Sequence, residues 1–227
     1  MSAPAQPVGP PVDATPAQWP GAVTLKGRYG SVEKLDAARH GPDLWQAVRG
    51  HNAVWTYMSY GPFAEARTFS AWLTEREALK DPYYYAIVDP DGHAVGVSTL
   101  MEIRPAMRVV EVGHIIYGSA LQRTPLGTEA QYLLARYAFE ALGYRRYEWK
   151  CNSLNAPSRR AALRYGFVFE GTLRQHMIVK GCSRDTAYFS MLDSEWPARK
   201  AAFERWLALE NFDSNGRQRQ SLSALNT

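Results

Sequence analysis

The segment Gln122–Ala130 (Gln-Arg-Thr-Pro-Leu-Gly-Thr-Glu-Ala) has the residue types of an anion-binding site. It follows a strand pattern and opens a helix pattern, so the first backbone N–H groups of that helix have no intrahelical partner. These groups and the helix dipole attract phosphate. Gly127 lets a ligand approach the backbone, and Arg123 can add a charge-assisted hydrogen bond. Taken alone, the segment is explained equally well as a helix start in which Thr128 and Glu129 supply the capping chemistry.

The patterns before this segment predict three consecutive strands. Residues 83–88, 93–103 and 109–117 have strand composition, and Asp89-Pro90-Asp91-Gly92 is a strong turn signal between the first two. Because the connections are short, we expect an antiparallel meander.

A helix is predicted directly after the meander. Residues 128–142 place apolar side chains at the i, i+3, i+4, i+7 spacing of one buried face, and Gly143 tolerates the left-handed conformation that ends a helix. The other predicted elements are a strand at 22–29, helices at 42–48, 158–165 and 197–209, a helix with Phe69, Trp72 and Leu73 on its apolar face, strands at 145–151 and 167–170, and a hairpin of 173–179 with 186–192. The order predicts a mixed α/β domain.

The two ends of the chain differ in composition from its centre. Residues 1–20 contain six prolines among small and polar residues, which predicts a disordered extension. Residues 213–227 are rich in Ser, Asn, Gln and Arg, and we expect a disordered tail there. A single domain is therefore predicted at 21–212.

Composition and charge exclude several classes of protein. No apolar run approaches the roughly 20 residues of a membrane span, and Cys151 and Cys182 form no disulfide framework, so we expect a cytoplasmic protein without a membrane partner. A formal net charge of +4 favours anionic partners only mildly. The basic cluster Arg217–Arg219 lacks interleaved aromatic residues, which argues against a nucleic-acid partner.

The element order and several short motifs resemble the GNAT superfamily of acyl-CoA N-acyltransferases, and more narrowly the branch of the ribosomal-protein N-terminal acetyltransferases. The resemblance covers about residues 23–197. The motifs that carry it are Tyr60-Gly61-Pro62-Phe63, Glu111-Val112-Gly113, Gln122 through Ala130, Asn152–Ser158, Gly166-Phe167 with Glu170-Gly171, Arg184-Asp185 and Glu195-Trp196-Pro197. It implies a GNAT-like α/β fold with a central, mostly antiparallel sheet flanked by helices.

The resemblance also implies an activity. A neutral primary amine, either a protein N-terminus or a small molecule, would attack the thioester of acetyl-CoA directly, with acetyl-CoA as co-substrate and no metal. The alternative is a non-catalytic acyl-CoA-binding protein on the same fold. The oligomeric state is left open, with a homodimer through the C-terminal elements as one option.

The expected coenzyme contacts follow the family motif. They are main-chain groups near Ile116 and Tyr117, the loop residues Gln122, Arg123, Thr124, Leu126, Gly127 and Thr128, and Asn155 with Ser158. The sequence departs from the motif at Pro125, which occupies an inner glycine position and removes one N–H donor. We therefore expect weaker coenzyme affinity.

For catalysis, the resemblance favours Glu111 as the base, with Glu102 and His114 as rivals. Strand alternation places Glu111 and Gly113 on one face and His114 on the other. A family tyrosine that protonates the leaving thiolate falls at Ala162 here and is absent, while Tyr165 is expected in the core. Ser158, three residues after Asn155, is the alternative donor that the ribosomal-protein branch implies; otherwise it would cap the short helix.

Aromatic residues near the start of the domain lie where the family builds its acceptor pocket. Trp55, Tyr57 and Tyr60 are the expected substrate-binding residues. The other explanation is a hydrophobic anchor for the two early helices. Arg184 and Asp185 are expected to form a structural ion pair near the hairpin turn.

Overall fold

The computed structural model describes residues 6–226; residues 1–5 of the predicted extension and Thr227 lie outside the described residues. An eight-stranded sheet has the order β1-β2-β3-β4-β5-β6-β8-β7, and its pairings are antiparallel except for the parallel pair β5–β6. The strands are β1 (Thr24–Lys26), β2 (Ser31–Lys34), β3 (Tyr83–Val88), β4 (Ala94–Arg104), β5 (Val109–Tyr117), β6 (Arg146–Asn152), β7 (Val168–Val179) and β8 (Cys182–Leu192). The predicted antiparallel meander β3–β5 and the mixed α/β sheet are confirmed.

Helices cover both faces of the sheet. They are α1 (Ala37–Val48), α2 (Ala66–Glu77), α3 (Pro125–Arg136, continued by a π-helical turn at Tyr137–Ala141), α4 (Ala156–Arg164), α5 (Trp196–Leu207) and α6 (Leu222–Leu225). Strand β3 shows how the faces divide, because Tyr84 and Ala86 pack with α1 and α2 while Tyr85 and Ile87 pack with α3. Within residues 6–226, no helix is long and apolar enough to cross a membrane.

Two helices begin earlier than the sequence predicted. Helix α3 begins at Pro125 rather than 128, because proline suits the first helical position and Thr124 caps it by accepting the Gly127 N–H at 3.1 Å. Helix α1 begins at Ala37 rather than at Pro42, since the Asp36 side chain caps it. In both cases the capping residue sets the start.

Strand β5 contains a bulge at His114. Thr99 pairs with Gly113 and Val97 with Ile116, so Ser98 alone lies opposite both His114 and Ile115. His114 takes a positive φ of 46°. A bulge of this kind reverses the alternation of side chains along a strand. The prediction that His114 and Glu111 lie on opposite faces assumed regular alternation and is wrong.

The chain ends contact the domain more closely than expected. Residues 6–20 contain no helix or strand, yet the Ala17 and Gln18 N–H groups donate to the Pro105 and Leu142 carbonyls at 3.1 and 2.8 Å. The segment predicted as a disordered tail differs from that prediction over residues 213–226. Helix α6 lies there, and its Leu222 is fully buried against the main core. This burial, which a polar composition conceals, orders the segment.

Candidate active site

An open cavity of about 1370 Å³ runs across the sheet where β5 and β6 diverge. Its walls come from the start of α3, from α4, from β8, from the segment before α2 and from the C-terminal segment. Parallel strands that separate at their ends leave such a crevice, and helix α3 enters it N-terminus first. The predicted anion-binding segment and the predicted base therefore face one space.

Helix α3 offers few free N–H groups to this cavity. Pro125 has none, and the Gly127 N–H is taken by the Thr124 hydroxyl. In the first turn, the hydrogen bonds of residues 6–226 leave the Leu126 N–H as the free donor. Glu129 does not cap its own helix, because its carboxylate accepts the Arg28 and Tyr29 N–H groups, both at 2.7 Å. An anion here depends on side-chain donors as well as backbone ones.

Gly127 is required by packing inside the protein. A Cβ atom at this position would lie 2.8 Å from the Leu121 carbonyl oxygen and 3.3 Å from the Tyr117 ring. The Tyr117 hydroxyl donates to the Gly127 carbonyl at 3.0 Å, and Gln122 Nε2 donates to the Tyr117 carbonyl at 2.9 Å. These contacts fasten the loop to the end of β5. The sequence interpretation gave Gly127 to the ligand, whereas the structure shows this second reason for it.

Glu111 lies in the floor of the cavity beside Lys150. The Lys150 Nζ is 2.8 Å from a carboxylate oxygen of Glu111 and 3.4 Å from Glu148, and the Glu111 residue is 5% exposed. Burial raises the pKa of Glu111 to about 7, and the Lys150 charge opposes that rise. A carboxylate that titrates near neutrality can accept a proton at physiological pH.

His114 lines the same cavity because of the bulge. Its Nδ1 lies 2.6 Å from the Tyr84 hydroxyl and 3.0 Å from the Tyr60 hydroxyl. Burial, with the charges of Arg76 and Arg184, lowers its pKa to about 4. His114 is therefore a neutral, hydrogen-bonded side chain and a weaker base than Glu111. Glu102, the other rival, also lines the cavity but is exposed.

Asn155 and Ser158 both line the cavity at the start of α4. Asn155 is the cap of this helix, its Oδ1 accepting the Ser158 N–H at 3.1 Å, so the capping role considered for Ser158 belongs to Asn155. The Ser158 hydroxyl accepts from Trp149 Nε1 at 3.0 Å. It also interacts with Cys151, where it lowers the pKa of a thiol that burial raises. Tyr165 is buried, as predicted.

Two of the three aromatic residues predicted for the acceptor reach the cavity. Tyr57 and Tyr60 line it, and the Tyr57 hydroxyl donates to the Leu154 carbonyl at 3.1 Å. Trp55 does not line it: the residue is 2% exposed and packs against Phe63 and Trp72. The hydrophobic-anchor explanation therefore holds for Trp55. Ile116 is similarly buried in the core around α1 and α2, and its neighbours Ile115 and Tyr117 line the wall.

Several cavity residues were missed because they belong to distant strands. The missed side chains are Lys150 on β6, His176 on β7, Arg184, Thr186 and Tyr188 on β8, and Arg160 and Arg164 on α4. The alternation 184, 186, 188 along β8 was the available signal. The ion pair predicted between Arg184 and Asp185 is absent from the ion pairs of residues 6–226. Asp185 instead accepts the Gln175 N–H at 2.7 Å.

A loop of the C-terminal segment forms the outer wall of the cavity. This C-terminal loop (residues 212–218) is closed by the pairing of Phe212 with Gln218 and is held by a Trp206 Nε1 bond to Gln218 at 2.7 Å. Its Arg217 lines the cavity together with Arg164, whose guanidinium lies 4.7 Å from the Trp206 ring centroid and donates to Thr128 Oγ1. The loop adds a cation near the start of α3.

The cavity residues fit a ligand with several phosphates and no metal. Arg123, Arg160, Arg164 and Arg217 line the part nearest α3, beside the free Leu126 N–H. Guanidinium groups bind phosphate through paired hydrogen bonds. Across residues 6–226, no group of three or more His, Cys, Asp or Glu side chains could hold a metal ion.

Comparison with known proteins gives a family match. Residues 34–168 match the family model described as "Acetyltransferase (GNAT) domain". The matched range contains the meander, the start of α3 and Ser158, so the shared pattern coincides with most of the cavity wall.

Similar proteins have been named and solved. A crystal structure of a GCN5-related N-acetyltransferase from Brucella melitensis superposes with a TM-score of 0.92 at 46% identity, covering 94% of this chain and 98% of that one. The Escherichia coli ribosomal-protein-serine acetyltransferase is 29% identical over 165 residues, which is 70% of this chain and 91% of that protein. YdaF of Bacillus subtilis, provisionally named a ribosomal N-acetyltransferase, is 32% identical over 110 residues, 48% of this chain and 60% of its own length.

Proposed function

The chain belongs to the GNAT family of acetyltransferases, and we propose that it transfers an acetyl group from acetyl-CoA to a primary amine by direct attack on the thioester. The observation that carries this proposal is the cavity that joins the start of α3 to Glu111. Acetyl-CoA supplies the activated acetyl group. The residues of this chain bind it, orient the amine and move the protons.

The coenzyme phosphates would bind between the start of α3 and the cationic side chains around it. The Leu126 N–H and the helix dipole supply one part of the attraction, and Arg123, Arg164 and Arg217 supply the other. Since Pro125 and Thr124 remove two backbone donors, side chains carry a larger share of the affinity than in a loop with glycine at 125.

Glu111 would accept the proton of the attacking amine. An α-amino group has a pKa of about 8 and a lysine about 10.4, so either must lose a proton before attack. The pKa of about 7 at Glu111 brings this carboxylate close to that of an α-amino group. Proton transfer between groups of similar pKa at neutral pH is the favourable case for general-base catalysis.

The thioester needs two further contacts. The developing oxyanion would receive a main-chain N–H at Ile116 or Tyr117, the end of β5 after the bulge. The leaving thiolate would receive a hydrogen bond from Ser158, which Trp149 and the start of α4 hold at the cavity wall. Asn155, beside it, has a side-chain amide free to donate to the pantetheine arm once its oxygen caps α4.

The acceptor is a protein N-terminus or a small-molecule amine. The relatives named as ribosomal-protein acetyltransferases favour a protein N-terminus, an acceptor that would place the enzyme in the cytoplasm. Tyr57 and Tyr60 would form the walls around the amine.

Two measurements test the proposal. Isothermal titration with acetyl-CoA should show binding at micromolar concentration, and free-thiol release with a panel of amines and N-terminal peptides should identify the acceptor. No binding at millimolar acetyl-CoA would refute any coenzyme role. Binding without thiol release for every amine would instead support the non-catalytic acyl-CoA-binding alternative, which the buried Ala162 at the position of the family tyrosine keeps in view.

A further inference from the structure

Arg184 is an unpaired cation in the wall of the cavity. Its residue is only partly exposed, it lines the cavity, and its Nε is buried without a hydrogen-bond partner. No hydrogen bond or ion pair of residues 6–226 involves its side chain, whereas Arg104 and Arg146 both bind Glu148. A buried donor without an acceptor is costly, so the site is completed when an anion binds there.

The position of Arg184 separates it from the coenzyme phosphates. It lies on β8 opposite Met177, two residues before Thr186, which pairs with the end of β6. Its charge acts on His114, at the bulge of β5, and on Cys151. The cations that suit phosphates lie instead on the loop before α3, on α4 and on the C-terminal loop.

The charges near Glu111 do not neutralise Arg184. Lys150 forms an ion pair with Glu111, and Glu148 binds Lys150, Arg104 and Arg146. Burial keeps His114 neutral. Glu102 is exposed and acts on Glu111 rather than on Arg184. This part of the cavity therefore has an uncompensated positive charge close to where the amine must bind.

We propose that the amine acceptor carries a carboxylate close to its amino group and that Arg184 binds this carboxylate. The inference rests on the proposed acetyl transfer and names the class of acceptor. Glu111 would take the amine and Arg184 the carboxylate, which fixes the orientation of the acceptor between β5 and β8. The carboxylate can come from a free amino acid or from an acidic side chain next to a peptide N-terminus.

Matched acceptors test this inference. Peptides that differ only by Glu or Gln at the second position, and an amino acid with its amide, are compared in kcat/KM. The carboxylate of each pair should be preferred by about 10- to 100-fold, the range for hydrogen bonds to charged groups. The Arg184→Met variant should lose this preference through a higher KM for the acidic acceptor, with little change for the neutral one.

A binding measurement separates recognition from chemistry. With CoA present in place of acetyl-CoA, calorimetry should show that the preferred acidic acceptor binds the native protein more tightly than Arg184→Met. Arg184→Lys should restore part of the difference, because it keeps the charge and loses the planar fork. Arg174→Met is the matched control, since Arg174 is an exposed residue of β7 outside the cavity lining.

The outcomes distinguish this inference from the proposed function. Equal turnover of acidic and neutral acceptors by the native protein would overturn the inference and leave acetyl transfer standing. A loss of acetyl-CoA affinity in Arg184→Met that matches the loss of acidic-acceptor binding would also overturn it. Preference for the amino acid, or for the acidic peptide, identifies the source of the carboxylate.

Discussion

The two ends of the cavity are built in different ways. The coenzyme end is centred on consecutive residues, 122–128, which form one loop and one helix start. The catalytic end takes Glu111 from β5, Lys150 from β6, Arg184 from β8 and Tyr60 from the segment before α2. One end depends on local conformation, the other on strand order and on the bulge at His114.

The two ends also differ in electrostatics. At the coenzyme end the cations Arg123, Arg160 and Arg217 are exposed, so solvent weakens each of them. At the catalytic end, burial sets the pKa of Glu111 to about 7 and that of His114 to about 4. Substitutions should therefore change binding modestly at the first end and chemistry strongly at the second.

The largest effect is expected for Glu111→Gln. The amide keeps the shape of the side chain but cannot accept the amine proton, so kcat/KM should fall by about 100-fold or more, as for loss of a general base. The affinity for acetyl-CoA, measured by calorimetry, should change by less than about twofold, because Glu111 is at the other end of the cavity.

Glu102→Gln is the control for this substitution, because Glu102 is an exposed carboxylate of the same cavity. It should retain most of the activity. If Glu111→Gln stayed fully active, or if it lost coenzyme affinity in parallel, the separation of the two ends would be wrong.

Lys150→Met should shift the pH dependence. The Lys150 charge holds the pKa of Glu111 down against burial, so its removal raises that pKa above about 7. Activity depends on the ionised carboxylate, and the rising limb of kcat/KM against pH should move to higher pH. One pH unit of movement would lower activity near neutrality by up to about tenfold and leave the high-pH plateau unchanged.

A plateau lowered equally at every pH, with an unmoved limb, would show that Lys150 acts by some route other than the pKa of Glu111. The comparison with Glu111→Gln is informative here, since that variant should lose the limb altogether.

The contrast between the two ends explains what the sequence could predict. The family, the enzyme class and the fold were recognised correctly, and strands 83–88 and 109–117 were predicted to the residue. Short-range signals carried these predictions. The cap Thr124 shows where such signals were underused, because a threonine before a proline marks a helix start at 125.

The remaining features arise from tertiary contacts. A single extra residue in β5 changed the face of His114, and no local signal marks that bulge. The neighbour of Glu111 is Lys150, 39 positions later in the chain, because β5 and β6 are parallel partners across the α3 crossover. Burial of Leu222 ordered a segment whose composition predicted disorder. Trp55 was an anchor because Phe63 and Trp72 enclose it.

Arg217→Gln tests the coenzyme end through the C-terminal loop. Losing one exposed cation from the wall should weaken acetyl-CoA binding by about three- to fivefold, in line with a surface charge contact of up to about 1 kcal/mol. The loss should shrink as salt is raised. Arg219→Gln is the matched control, because Arg219 is an exposed neighbour that does not line the cavity. Equal effects of the two substitutions would remove Arg217 from the site.

The smallest expected effect, Pro125→Ala, decides whether the first turn of α3 limits affinity. Alanine suits a helix and restores the N–H that proline lacks, next to the free Leu126 N–H. Acetyl-CoA should bind about two- to threefold more tightly, since one added donor to a partly solvated phosphate contributes about 0.5 kcal/mol. Stability should fall by up to about 1 kcal/mol, because proline restricts the unfolded chain. An unchanged affinity in calorimetry, with the expected fall in melting temperature, would show that the phosphates are held by the arginine side chains and not by the helix start.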